Sequence, residues 1–430
     1  MFDREWFAAG QRRHRGCARR QSLWSLARRG RAPRLGALES IGRMSDIYAQ
    51  QLGALRARSL DRHLREIRSS QGTVVDIDGK QLINFASNDY LGLASDPHLR
   101  EAATKAIAEF GVGAGASRLI SGTHSSHVRL EAALAKWKGT EAALSFGSGY
   151  AAAVGAIPAL VGKNDIILLD KLCHASLIDG AKLSAATLRI FPHNHLGKLK
   201  TLLGWACRKN STARILIITE SVFSMDGDRA PLREIVELKK NFRAQLLLDE
   251  AHAIGVIGPN GRGLAAEENL SPEVDVQMGT LSKALGVSGG YICGPRNMIE
   301  WLINRARSFI FSTAPPPALA AAANAAVDFL SSPEGEKRRR LLWRNIDILA
   351  EELQVRPASA IVPWIIGDEQ VTLAAARSLQ DEGFFVPAIR YPTVAKGSAR
   401  LRVTVSAAHE EAELRSLGAA IKRIAKKKLH

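Results

Sequence analysis

The sequence predicts an α/β protein with a mostly parallel central sheet flanked by helices and a smaller C-terminal α+β domain. Three observations predict it. Short apolar runs recur at 142–146, 166–170, 215–219 and 245–249, each long enough for one strand buried on both faces. Helical patterns, such as those at 128–138 and 231–241, fall between such runs, and this alternation builds a parallel sheet covered by helices. Beyond Pro315-Pro316-Pro317 the character changes to long helices with a few shorter strands, among them the alternating run at 401–405.

The chain has 430 residues, more than one compact core of ordinary size can use, so two or three packed units are expected. Its 46% apolar and 23% charged residues are ordinary for a globular protein. No apolar run is long enough to predict a membrane-spanning helix. The formal charge of +17 invites a nucleic-acid or membrane reading, but its placement argues against both. Residues 1–43 hold eleven arginines against three acids and supply about +8 of the total. A second basic cluster, Lys422, Arg423 and Lys426 to Lys428, ends the last helix, where cations suit the helix dipole. The body between is only mildly basic, so neither a nucleic-acid nor a membrane partner is expected. The four cysteines, Cys17, Cys173, Cys207 and Cys293, form no C-x-x-C pair and no disulfide or zinc spacing, which suits a reducing, cytoplasmic compartment. No metal is expected.

The Arg-rich stretch 1–43 resembles a transit peptide in composition; the alternative is a start at Met44, which opens Met-Ser-Asp-Ile-Tyr. Either reading leaves it outside the fold. Residues 44–88 read as an N-terminal arm, helical from Ser45 to about Ser70 on the spacing of Leu52, Leu55, Leu60 and Leu64. A hairpin with Asp78-Gly79 as its turn follows. The large domain is placed at 89–314 and the small one at 315–430.

Ligands of open α/β sheets sit beyond the carboxyl ends of the strands. Polar residues cluster there in this sequence, after Phe146, Asp170, Glu220 and Asp249. Asp249-Glu250-Ala251-His252 follows three leucines, a costly place for two acids and a histidine unless each has a partner. An aspartate so placed can hold the protonated nitrogen of a heterocycle. Lys283 is the only charge between Gln277 and Pro295, flanked by Thr280, Ser282 and glycines. A lysine kept neutral by its surroundings can form an imine with a carbonyl. Gly147-Ser148-Gly149-Tyr150 leads from a strand into a helix, so its backbone N–H groups could hold a phosphate. His174, beyond the strand at 166–170, could stack on an aromatic ring. Two other motifs are discounted. Gly286-Val287-Ser288-Gly289-Gly290 lacks the strand-to-helix setting of a nucleophile elbow. Gly111-Val112-Gly113-Ala114-Gly115-Ala116 follows a helical pattern where a dinucleotide fingerprint follows a strand.

The ordered set of motifs resembles the α-oxoamine synthases from about residue 50 to the end. It is carried by residues 84–93 (Asn-Phe-Ala-Ser-Asn-Asp-Tyr-Leu-Gly-Leu), 115–122 (Gly-Ala-Ser-Arg-Leu-Ile-Ser-Gly), 174–180 (His-Ala-Ser-Leu-Ile-Asp-Gly) and 219–228 (Thr-Glu-Ser-Val-Phe-Ser-Met-Asp-Gly-Asp). Asp-Glu-Ala-His at 249–252, Thr-Leu-Ser-Lys at 280–283 and Ala-Ile-Arg-Tyr-Pro-Thr-Val at 388–394 complete it.

The resemblance implies a homodimeric fold type I transferase dependent on pyridoxal 5'-phosphate. Such an enzyme joins an amino acid to an acyl-CoA with loss of carbon dioxide. L-Alanine and pimeloyl-CoA, as in biotin synthesis, are the expected substrates. Glycine with acetyl- or succinyl-CoA, or serine with a long acyl-CoA, are the alternatives; a catalytically silent partner subunit is the alternative of another class. The resemblance further implies that Lys283 carries the cofactor and moves the α-proton, Asp249 pairs with the ring nitrogen and His174 stacks on the ring. It places Ser224 and His252 by the ring oxygen, and Thr280 with the Gly149-Tyr150 backbone at the phosphate. Arg390 would bind a substrate carboxylate, Arg65 and Thr393 would touch substrate, and Asn88 would lie near the reacting carbon. Tyr391, His195 and Ala153 depart from the family pattern without touching this set.

Overall fold

A computed structural model describes residues 44–58 and 60–427. The Arg-rich stretch 1–43 lies outside the described residues. The chain divides after Leu64 into two units. In the first, helix α1 (Met44–Ala57) buries none of its residues. It ends well before Ser70, the limit its leucine spacing predicts: residues 60–66 take no regular structure. Leucine spacing alone does not extend the helix to Leu64, which is fully exposed.

From Arg65 on, the chain is one unit. Strands β1 (Val74–Ile77) and β2 (Lys80–Asn84) form the expected hairpin. Asp78 and Gly79 both have positive φ at its turn, the conformation that Asp-Gly supplies most readily.

The central sheet has seven strands: β3 (Ala142–Phe146), β4 (Ile166–Asp170), β5 (Thr187–Phe191), β6 (Ile215–Glu220), β7 (Gln245–Asp249), β8 (Val276–Thr280) and β9 (Gly290–Gly294). Their order is β3-β9-β8-β7-β6-β4-β5, and every neighbouring pair is parallel except those made by β9. The four apolar runs are thus strands, and the sheet is mostly parallel. Three strands were not evident in the sequence. Strands β8 and β9 carry glycine and polar residues in place of a continuous apolar run, and β5 is an edge strand with Arg189 and Ile190 exposed.

Alternate residues of each strand serve opposite faces. Leu216, Ile218 and Leu247 pack with Leu177 of helix α4 and Ala152 of α3; Ile215, Ile217 and Leu248 pack with Leu199 of α5 and Ile235 of α6. Here α2 is Ser125–Lys138, α3 Gly149–Leu160, α4 Ala175–Leu183, α5 Leu196–Lys209 and α6 Leu232–Asn241. Both faces are therefore dry, and polar residues are driven to the strand ends.

Beyond Pro315 come α7 (Pro317–Leu330), the long α8 (Pro333–Leu353) and a three-stranded sheet of order β10-β13-β12, with β10 at Ile361–Gly367, β12 at Ala388–Ile389 and β13 at Ala399–Thr404. Strand β11 (Phe384–Phe385) instead joins β2 in parallel. Among the described residues, no helix is long and apolar enough to cross a membrane, and Cys173, Cys207 and Cys293 are free.

Candidate active site

Strands β4, β6, β7 and β8 run in one direction, so Asp170, Glu220, Asp249 and Thr280 end at one edge of the sheet. A cavity of about 220 Å³ opens there. Of the residues singled out in the sequence, Gly149, Tyr150, His174, Asp249, His252, Thr280 and Lys283 line it together.

On one side lies the turn into α3. Ser148 caps the helix, its hydroxyl accepting Ala151 N–H at 3.0 Å. Thr280 Oγ1 and Ser282 Oγ stand 2.8 Å apart opposite this turn. A Cβ on Gly149 would sit 3.5 Å from the Thr280 side chain, and one on Gly290 would run into the backbone of Ser148 and Gly149 at 2.5–2.6 Å. Glycine at 290 lets a helix N-terminus and two hydroxyls come around one space, a donor set suited to a phosphate. The Tyr150 ring stands half outside, its hydroxyl donating to Asp179 Oδ2 at 2.8 Å.

On the floor lie two carboxyl groups. Asp249 and Glu220 are register partners on adjacent strands, both buried. Burial raises the Asp249 carboxyl, and Lys283 opposes the rise. Burial, then the Asp249 charge, pushes Glu220 up to about 8. Asp249 accepts Ala251 N–H at 2.9 Å, which aims its carboxyl into the cavity. Glu220 accepts the backbone N–H of His174 and so fixes that histidine at the head of α4. His174 Nδ1 accepts Ser176 N–H at 3.2 Å, and burial holds its imidazole below the usual range.

Lys283 Nζ lies 2.9 Å from His252 Nε2, and His252 Nδ1 lies 2.5 Å from the Tyr90 hydroxyl. Burial, then the charge of Lys283, holds His252 well below its ordinary value, so its ring is neutral and carries one N–H. Lys283 donates to Nε2, Nδ1–H donates to Tyr90, and Tyr90 donates on to Asn88 Oδ1 at 3.4 Å. Burial lowers Lys283 to about 8, against the pull of Asp249 and Glu220, and pushes Tyr90 up to about 12.

Three residues of this site escaped the sequence reading: Tyr90, Glu220 and Arg402. Tyr90 and Glu220 stood inside quoted motifs. Arg402 had a signal of its own, since Arg400 and Arg402 alternate in a strand whose six residues are all buried. Its guanidinium donates to Ser224 O at 2.6 Å, Thr404 Oγ1 at 3.0 Å and Asn88 Oδ1 at 3.2 Å. Its charge helps hold both Lys283 and His252 down.

The remaining predicted residues do not line the cavity. Asn88 and Ser224 join it through Arg402. Arg65 donates to Gln380 Oε1 at 2.9 Å and stands 5.4 Å from the Phe385 ring centroid. Arg390 and Thr393 share the turn after β12, where Thr393 N–H donates to Arg390 O at 3.0 Å. Glu250 turns away from the cavity to the buried Lys138. Among the described residues, no group of His, Cys, Asp and Glu could hold a metal ion.

The family model described as aminotransferase class I and II matches residues 80–421. The chain is 46% identical over 389 residues to an 8-amino-7-oxononanoate synthase of Geobacter sulfurreducens, covering 89% of this chain and 99% of that protein. In structure it is similar to a serine palmitoyltransferase of S. paucimobilis solved with a PLP–myriocin adduct, at TM-score 0.83 and 30% identity over 89% of this chain and 97% of the other. It is also similar to 8-amino-7-oxononanoate synthase from Francisella tularensis, at TM-score 0.70 and 27% identity over 81% and 99%.

Proposed function

The chain belongs to the class I and II aminotransferase family, grouping there with the 8-amino-7-oxononanoate synthases, and from that premise we propose that it condenses L-alanine with a pimeloyl thioester, releasing CoA and carbon dioxide. One observation carries the reading: Lys283, Asp249, His252 and His174 converge on the cavity that faces the α3 N-terminus.

The donor set fits pyridoxal phosphate. The α3 N-terminus and the Thr280 and Ser282 hydroxyls would hold its phosphate, Asp249 its ring nitrogen, His174 a ring face, His252 and Ser224 its ring oxygen, and Lys283 its carbonyl carbon. When bound, the group supplies an electron sink for charge developing at an amino acid's α-carbon. An ionised Asp249 keeps the ring nitrogen protonated, and Glu220 takes the proton that two adjacent buried carboxyls share. Lys283, lowered to about 8, can give up its proton near neutral pH and then take one from the α-carbon. His252 receives the Lys283 hydrogen bond and passes orientation on to Tyr90 and Asn88. Arg402, buried beside them, offers a fixed cation to the amino acid's carboxylate. Arg390, Thr393 and Arg65, on or beside the β11–β12 segment, are proposed to meet the acyl substrate, with an arginine facing its far carboxylate.

We take residues 89–314 as the cofactor domain, 315–430 as the covering domain and 44–88 as the arm. A cytoplasmic homodimer is part of the same proposal. The exposed apolar side chains Val112, Leu119, Ile120, Val128 and Phe311 give a second copy something to cover, and the free cysteines suit a reducing compartment.

A second reading, serine with a long acyl thioester, is favoured by the TM-score of 0.83 to a serine palmitoyltransferase. The sequence identities, 46% against 30%, favour alanine and the pimeloyl chain. A silent partner subunit would have no use for the intact Lys283–Asp249–His252 set. The test is thioester-dependent CoA release with alanine, glycine or serine against a panel of acyl-CoAs. Fastest turnover with alanine and pimeloyl-CoA supports the proposal; turnover only with serine and a long chain replaces it by the second reading.

A further inference from the structure

His193 lies outside the cavity, on the turn between β5 and α5. Its ring nitrogens each meet a carboxylate: Nδ1 lies 3.1 Å from Asp170 Oδ1, and Nε2 lies 2.8 Å from Asp228 Oδ2. A carboxylate can only accept, so both nitrogens must carry hydrogen, and the ring is an imidazolium. The same two acids, opposing burial, raise it to about 10. Phe223 holds the ring edge-on, with centroids 4.3 Å apart and planes at 85°.

The two acids belong to two different active-site segments. Asp170 ends β4 and shapes the turn that leads to His174. Its Oδ1 also accepts Leu172 N–H at 2.8 Å, and its Oδ2 accepts Asn194 N–H at 2.8 Å. Asp228 closes the loop that leaves β6 at Glu220 and carries Ser224. Phe223 N–H donates to Asp228 O at 3.0 Å, and Val222 bridges Arg229 across the loop's base. Asn194 Nδ2 adds a bond of 3.1 Å to Asp228 Oδ2. The far side of the loop is held by Arg400, bound to Asp226 Oδ1 at 2.7 Å, and by Arg402. On its near side, the His193 ring bonds both acids and so ties the loop to the His174 turn, with Asn194 beside it bonding the same two acids through its side-chain amide and backbone N–H.

The geometry points to His193 as a positioning residue, which sets the loop bearing Ser224 against the turn bearing His174 and thereby fixes the width of the cofactor seat. It does not line the cavity. Loss of its two charge-assisted bonds frees both segments to drift, and a ring held between them binds less tightly and at a less defined tilt. The inference rests on the cavity being a pyridoxal-phosphate seat, and its test separates the two.

The full-length apoprotein, wild type, His193→Gln, Asp228→Asn and the double variant, is titrated with pyridoxal phosphate. The dissociation constant, the visible circular dichroism of the bound cofactor and the thermal midpoint of each apoprotein are recorded. The expected results for His193→Gln are a dissociation constant raised about tenfold and a reduced visible dichroism. Asp228→Asn moves both in the same direction, and the double variant is no worse than His193→Gln, because the two residues act as one contact. A lowered midpoint with unchanged affinity and dichroism makes His193 merely structural and overturns the inference. Should His193→Gln fail to fold, Asp228→Asn decides on the same two readings. Wild type that takes up no pyridoxal phosphate overturns the cofactor reading itself.

Discussion

Asp249 ends strand β7 and Glu250 is the next residue, yet they enter opposite kinds of environment. Glu250 faces the buried Lys138 ammonium and accepts Ala265 N–H at 3.0 Å, while Lys138 also donates to Arg262 O. A Cβ on Gly263 would collide with this carboxyl at 2.4 Å, so the chain closes tightly around the pair. Asp249 has one backbone donor, a second carboxyl group beside it in Glu220, and a cavity in front of it. One buried acid is closed off by protein; the other keeps its charge available to a guest. A paired buried charge therefore marks architecture here, and a buried charge facing empty space marks function.

That contrast can be broken at several points. Lys283→Ala removes the cavity's base and covalent anchor, and CoA release should fall by at least about a thousandfold. The visible absorption of the bound cofactor should change with it, while the melting temperature stays close to wild type. Lys138→Met leaves Glu250 buried without its cation and should cost about 3–5 kcal/mol of stability by denaturant unfolding. A double change, Lys138→Met with Glu250→Leu, should recover much of that, because it removes the stranded charge as well.

Two histidines sharpen the same contrast through pH. His409 is buried, stacked on Phe85 at 4.1 Å, and accepts Ser406 N–H at 2.9 Å on Nδ1. Burial lowers it to about 4. Its folded value lies below the unfolded one, so the stability it supports is present above about pH 6.5 and lost as pH falls toward 4, on the order of 3 kcal/mol in all. In His409→Gln the fall over that window should be shallower. His193 has the opposite sign: its raised value supports stability below about pH 6.5 that is lost as pH rises through 10.

Arg402→Ala should raise the KM for the amino acid about tenfold to a hundredfold, the worth of a charge-assisted hydrogen bond, with a smaller change in the KM for the thioester. Unequal effects in the reverse sense would place the carboxylate elsewhere. Tyr90→Phe removes the hydroxyl's two neutral hydrogen bonds, to His252 and to the more distant Asn88 oxygen, and should cost about tenfold in kcat/KM.

Much of this could be read from the residues. Where a buried strand is a run of large aliphatic residues, as at 166–170 and 245–249, sequence and structure agree; the equally buried β8 and β9 carry glycine and polar residues in place of such a run and gave no signal. Lys283 and Asp249 stood out because a charge in such company needs a reason. Arg402 did not, since the face of β13 it serves is decided by packing against the Ser224 loop, many residues away in sequence. The arm helix ends at Ala57 although the leucine spacing continues to Leu64, because spacing alone sets no helix end. His193 was passed over for the neighbouring His195, which caps α5 by accepting Lys198 N–H at 3.2 Å.

The Asp249 side of this contrast is the one proposed to hold pyridoxal phosphate for an alanine condensation. The most direct measurement adds L-alanine and pimeloyl-CoA to the cofactor-loaded protein and follows CoA release together with the visible spectrum. The expected result is a coloured protein that releases CoA with alanine faster than with glycine or serine, and a Lys283→Ala variant whose visible absorption is changed and whose CoA release is lost. A colourless wild-type protein, or a coloured one that releases no CoA from any acyl-CoA, would contradict it.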